Sequence, residues 1–123
     1  ISPEALRIRS DSAYDIKKQL SYTESTNLDD YIEDLDVLYV TRIQKERFPD
    51  EEEYAKVKGS YVIGPDMLKK MKDDAIILHP LPRIDEISPD IDDTKQAKYF
   101  EQAENGKYTR AALLGLILNE NGF

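Results

Sequence analysis

Cysteine is absent from the 123-residue chain, so it can form no disulfide, hold no iron–sulfur cluster or thiolate zinc, and offer no cysteine nucleophile. Histidine occurs once, at His79, which leaves too few nitrogen donors for an all-protein catalytic zinc site. Basic residues are in deficit: 17 Lys plus Arg stand against 25 Asp plus Glu, a net charge of −8. A surface of that sign repels phosphate backbones and anionic headgroups, so neither nucleic acid nor membrane is an expected partner. Long apolar runs are missing too. The longest, residues 111–118, falls far short of the roughly 18 residues that span a bilayer. No Gly-rich phosphate loop and no metal motif is present, and no cofactor is expected. The first residues carry neither a basic nor an apolar leader, so no secretory signal is expected, and the composition is compatible with the cytoplasm. The chain begins with Ile1 rather than Met, and Ser2 with Pro3 reads at once as a helix N-cap and first turn. That start is expected of a segment of a longer protein entered just after a strand.

What is present suits one globular domain: 40% apolar and 34% charged residues, in a chain long enough to bury roughly two-thirds of its unfolded surface. Residues 11–20 predict an amphipathic helix, and residues 26–35 a short second one capped by Thr26 with Asp29 three positions on. Between them Tyr22 and Thr23 suggest a short strand. Residues 36–41 form an unbroken β-prone run, the pattern of a strand covered on both faces in a parallel sheet. The charged stretch 45–53 leads into a helical turn at 54–57, which Gly59 stops. Tyr61–Ile63 suggests a strand, residues 65–71 a helix after Gly64-Pro65, and residues 75–78 a second buried strand. Residues 96–103 read as helix with Asn105-Gly106 as terminator, and residues 107–119 as the last helix. Its segment 111–118 has no polar face, which in a complete globule calls for burial on more than one side. Alternating strands and helices give an α/β class, a parallel sheet flanked by helices.

Open parallel sheets bind ligands beyond the carboxyl ends of their strands, and two polar motifs occur there. The first strand runs out into Thr41-Arg42-Ile43-Gln44. Arg42, held just past a buried strand, presents a planar fork for a carboxylate or phosphate, and Gln44 projects a neutral donor and acceptor beside it. The bland alternative for Arg42 is a salt bridge to a nearby acid. The second strand runs out into His79-Pro80-Leu81-Pro82-Arg83. Its prolines remove N–H donors and leave the carbonyls of Pro80 and Leu81 as acceptors for an amide or amine, with a cis bond before Pro82 plausible. The alternative there is a tight turn and nothing more. His79 is expected to be a hydrogen-bonded structural residue rather than a base. Arg47 and Arg83 are further candidates for anion or salt-bridge work, and residues 45–53 for a mobile loop, except that 51–53 read as a solvated surface helix.

Four blocks, in this order and spacing, resemble the catalytic chain of the aspartate carbamoyltransferases: residues 36–48 (DVLYVTRIQKERF), 78–87 (LHPLPRIDEI), 99–106 (YFEQAENG) and 110–114 (RAALL). The resemblance implies a two-domain α/β carbamoyltransferase fold, of which this sequence matches most of the second, aspartate-binding domain. Residues 1–106 would form that domain without its opening helix and strand, and residues 107–123 a C-terminal helix packing on the carbamoyl-phosphate domain. The family's Ser-Thr-Arg-Thr-Arg and His-Pro-Thr-Gln motifs are absent, so the sequence supplies half a site and is expected to be inactive alone. By position, the resemblance makes Arg42 and Gln44 contacts of L-aspartate, and the carbonyls of Pro80 and Leu81 acceptors for the carbamoyl NH2 and the attacking amine. Lys45, Arg47, Tyr54 and Asp85 would belong to a loop that moves on domain closure, and no catalytic role falls on His79. The implied reaction joins carbamoyl phosphate and L-aspartate into N-carbamoyl-L-aspartate and phosphate, in pyrimidine biosynthesis. Implied partners are two further copies in a catalytic trimer, often with regulatory chains in an allosteric assembly. Ornithine carbamoyltransferases share the fold but carry His-Cys-Leu-Pro where this chain has His79-Pro80-Leu81-Pro82. A non-catalytic binding or assembly module on the same fold is the alternative from another class.

Overall fold

The computed structural model describes residues 1–118. Its framework is a two-stranded parallel sheet, β1 (Val37–Tyr39) and β2 (Ile76–Leu78), with helices α1 (Ser10–Gln19), α2 (Glu51–Val57), α3 (Pro65–Leu68) and α4 (Tyr99–Leu118). The strands pair in the register Val37–Ile76, Leu38–Ile77 and Tyr39–Leu78, and the Val40 N–H extends the ladder by donating to the Leu78 carbonyl at 2.8 Å. Both strands therefore run out at the same edge, which places the Arg42 and His79 motifs side by side. Isolated bridges join Ile63 to Ile87 and Ile77 to Ala97. The core gathers Ile32, Ile63, Ile77, Ile87, Ile91 and Tyr99, all fully buried.

Several local expectations are corrected. Residues 26–35 make turns instead of a helix, because side chains capture the amides a helix would need. Ser25 Oγ accepts from the Asn27 N–H at 3.1 Å, and Asn27 Oδ1 from the Asp29 N–H at 3.2 Å. Ser2 caps nothing; Pro3 supplies the carbonyl for a single 3-10 turn, Glu4–Leu6. Tyr22 and Thr23 form no strand, and Tyr61–Ile63 shrinks to the one bridge at Ile63. β1 is covered on one face only: Leu38 is buried, while Val37 and Tyr39 are about half exposed. Asn105-Gly106 does not terminate a helix, since α4 runs through it without a break. One glycine costs a helix only about 1 kcal/mol relative to alanine. Here the Thr109 hydroxyl bonds the Asn105 carbonyl, and the Arg110 guanidinium lies 3.2 Å from where a Gly106 Cβ would stand.

Gly59 acts as expected, and a side-chain cap opens the same helix. Gly59 adopts φ +70° at the turn that closes α2, a region glycine enters without penalty. At the front of α2, the Asp50 side chain caps by accepting from the Glu53 N–H at 2.8 Å, with Glu51, Glu52 and Glu53 in the first turn where the helix dipole favours acids. The stretch 45–53 is thus a 3-10 turn (Lys45–Arg47) followed by a capped helix. The apolar segment 111–118 is not covered: Leu114 is 58% and Ile117 68% exposed. The remainder of the last predicted helix, residue 119, and the other terminal residues lie outside the described ones.

Candidate functional site

Beyond the carboxyl end of β1 lies a cleft of ≈ 380 Å³ whose polar wall is Thr41, Arg42, Gln44 and Arg47, faced by Tyr61. Three of the residues singled out from the sequence therefore meet in one cavity. Arg42 is held low, its side chain only 28% exposed, by a two-pronged ion pair with Glu46. That pairing raises the Arg42 guanidinium's already high pKa, chiefly through the Glu46 hydrogen bond, and holds Glu46 below the usual carboxylate range for the same reason. The salt bridge weighed as the bland alternative is therefore real, yet it does not exhaust the fork. A guanidinium carries five N–H donors, of which Glu46 takes two. Gln44 precedes the 3-10 turn, and its carbonyl accepts from the Arg47 N–H at 3.1 Å, which ties both residues to the cleft wall.

Lys45 turns away to pair with Glu51, which raises the Lys45 pKa. Tyr54 and Asp85 come together elsewhere, lining a shallow depression with Ile43, Lys58, Tyr61 and Glu86. Tyr54 is braced there by Phe48, ring centroids 5.7 Å apart and edge-on. Pro80 and Leu81 line neither cavity. They sit at the end of β2, next to the Arg42 strand end, with Leu81–Pro82 cis and Leu81 at φ +44°. Leu81 also packs against the core.

His79 is buried. Its Nε2 lies 2.7 Å from Glu86 Oε1, its Nδ1 accepts from the Leu81 N–H at 2.8 Å, and its own N–H donates to Gln102 Oε1 at 2.9 Å. Both ring nitrogens and the backbone N–H are satisfied, as expected of a structural histidine. Arg83 is likewise committed: it grips Asp92 with both terminal nitrogens and donates to the Tyr99 hydroxyl at 3.2 Å, and Tyr99 donates to Asp92. It serves as a structural clamp.

Sequence reasoning did not find Tyr61, Glu46 or Glu86 as parts of this region. The Tyr61 hydroxyl donates to the Thr41 carbonyl at 2.9 Å and fixes the cleft floor, and burial pushes its pKa up. Only Glu46, four residues after Arg42, carried a local signal. Among the described residues no cluster of three or more His, Asp or Glu could hold a metal ion, and no helix is long and apolar enough to cross a membrane.

The family described as "Aspartate/ornithine carbamoyltransferase, Asp/Orn binding domain" matches residues 2–117. The aspartate carbamoyltransferase catalytic subunit of Nitrosopumilus maritimus is 81% identical over the whole chain, which spans 40% of that protein; that of Cenarchaeum symbiosum is 74% identical with the same coverage. The chain thus spans about 40% of the length of these curated relatives. Among solved structures, the catalytic subunit of M. jannaschii aspartate transcarbamoylase superposes with a TM-score of 0.84 at 50% identity, over 98% of this chain and 40% of that one. Aspartate transcarbamoylase from Trypanosoma cruzi in complex with aspartate and phosphate gives 0.78 at 30% identity, over 93% of this chain and 39% of that one.

Proposed function

The chain belongs to the aspartate/ornithine carbamoyltransferase family, and from that premise we propose that it supplies the aspartate-binding half of an aspartate carbamoyltransferase active site. The observation that carries this reading is the meeting of Arg42, Gln44 and Arg47 in one cleft at the carboxyl end of β1. In a chain of net charge −8, two guanidinium groups beside a neutral amide make a local cationic pocket suited to a small dicarboxylate. The Arg42 fork, kept in place by Glu46, grips a carboxylate with its remaining donors, and Gln44 contacts the neighbouring polar group.

At the adjacent strand end the carbonyls of Pro80 and Leu81 accept from the aspartate amine and the carbamoyl NH2. They thereby orient the amine lone pair onto the carbamoyl carbon. The C–N bond forms, the C–O bond to phosphate breaks, and the amine's proton passes to the departing phosphate, which leaves as inorganic phosphate. Carbamoyl phosphate itself is held by the other domain of the full-length chain. Residues 1–106 form the aspartate domain, and the bare apolar stretch of α4 covers itself against that other domain, which accounts for its exposure here. Lys45, Arg47, Tyr54 and Asp85 belong to the surface that rearranges on closure. With this reading go a trimer of full-length chains, regulatory partners, a place in pyrimidine biosynthesis and a cytoplasmic location.

The family covers two amino-acid substrates, and the test separates them. Given carbamoyl phosphate, the full-length chain carrying this sequence should turn L-aspartate into N-carbamoyl-L-aspartate at least about 100-fold more efficiently than it carbamoylates L-ornithine. A cationic cleft pairs with the second carboxylate and repels a second ammonium. Preferential citrulline formation would overturn the proposal.

A further inference from the structure

The buried His79–Glu86 pair is left without a task by the reaction just described, and its geometry gives it one. His79 Nδ1 accepts from the Leu81 N–H at 2.8 Å, so that nitrogen carries no proton and the ring's hydrogen sits on Nε2. Nε2 meets Glu86 Oε1 at 2.7 Å, and the other carboxylate oxygen, Oε2, accepts from the N–H groups of Ile84 and Asp85 at 3.2 Å each. Glu86 thus closes the segment 79–86 from its far end and fixes the tautomer of the ring at its near end. The peptide joining Pro80 to Leu81 is planar and trans, so its N–H and C=O point in opposite directions. Anchoring the Leu81 N–H inward on Nδ1 therefore turns the Pro80 carbonyl outward.

Deepening the proposed function, on which this rests, we propose that His79 is a positioning residue for the Pro80 carbonyl, and that Glu86 acts through it by holding the Nε2–H tautomer. The ring touches no substrate and transfers no proton. Its acceptor nitrogen aims a backbone acceptor at the reacting amine.

Two substitutions at one position separate this role from simple core filling. His79→Asn keeps an acceptor at the same number of bonds from Cα as Nδ1, whereas His79→Gln moves the polar group out to the Nε2 distance. In the full-length chain, His79→Asn should keep kcat within about threefold of wild type. His79→Gln should lose about 10- to 100-fold in kcat, with the aspartate KM moving less than about threefold, because a misaimed acceptor degrades alignment more than binding. Equal kcat values for the two variants, or a loss confined to KM, would overturn the assignment. Imidazole nitrogen NMR on the wild-type full-length chain gives a reading that needs no variant to fold. A protonated Nε2 with a bare Nδ1 at His79 is expected, and an Nδ1–H tautomer or a doubly protonated ring would overturn it. A wild-type chain inactive toward L-aspartate would count against the proposed function, leaving the NMR to decide the tautomer.

Discussion

Replacing Arg42 with alanine in the full-length catalytic chain should lower kcat/KM for L-aspartate by about 100- to 1,000-fold, the range expected when a charged partner of a partly desolvated carboxylate is truncated. Arg42 leaves the sheet just beyond β1, and its mostly covered side chain is held at the cleft wall by Glu46. Arg42→Lys should recover no more than about tenfold of the loss. An ammonium supplies the charge, but not a planar fork that serves Glu46 and a substrate at once. Fold stability should move little, because Glu46 is 58% exposed and solvent screens the pair. Steady-state kinetics paired with thermal melts check both halves. Activity within threefold of wild type in a folded Arg42→Ala protein would remove Arg42 from the site.

The second large effect concerns the clamp below the site. Arg83 and Asp92, 17% and 25% exposed, pair through both guanidinium nitrogens and share the Tyr99 hydroxyl. The Arg83 guanidinium lies 5.4 Å from the Tyr99 ring centre and 5.8 Å from that of Phe100. Asp92→Ala strands a largely covered cation and should destabilise the fold by about 2–3 kcal/mol, below the full cost of breaking a completely buried pair because some solvent remains.

The same pair gives the pH response its sign. The Arg83 hydrogen bond holds Asp92 below the usual carboxylate range, so its stabilising contribution is fully present above the ordinary aspartate pKa and is lost as pH falls through the depressed folded value. At the other extreme, burial and the bond to Asp92 push the Tyr99 hydroxyl up to about 12. Its contribution is full below the ordinary tyrosine pKa and fades as pH rises through 12. Asp92→Asn should flatten the acid limb of a stability-versus-pH curve measured on the full-length chain. An acid limb identical to wild type would show that the clamp carries none of that dependence.

The legible part of this fold is where local pattern and burial agree. Leu38 and Ile77, at the centres of two short β-prone runs, are buried and paired, and from them the positions of Arg42 and His79 follow. Gly59 could be read as the end of a helix because positive φ is the chemistry of a single residue. Residues 26–35 misled because Thr26 with Asp29 serves a turn as readily as a helix start, and only the competing side-chain bonds of Asn27 decide. Gly106 misled because a terminator and a tolerated mid-helix glycine look alike in sequence. The site residues that escaped notice, Tyr61 and Glu86, act across the fold. Tyr61 reaches Thr41 over 20 positions, and Glu86 meets a ring seven residues away through a folded-back loop. The cleft's cations were visible one by one; their shared cavity depends on the Gln44–Arg47 turn.

If this sequence contributes the aspartate half of a composite active site, the other half supplied separately should complete it. The most direct test is carbamoyl-aspartate formation from carbamoyl phosphate and L-aspartate by the 123-residue chain alone, and mixed with a separately produced carbamoyl-phosphate-binding portion of the same enzyme. No detectable turnover is expected from the chain alone, and activity is expected in the mixture, lost when the chain carries Arg42→Ala. Clear turnover by the chain alone, or a silent mixture of two folded partners, would contradict the composite site.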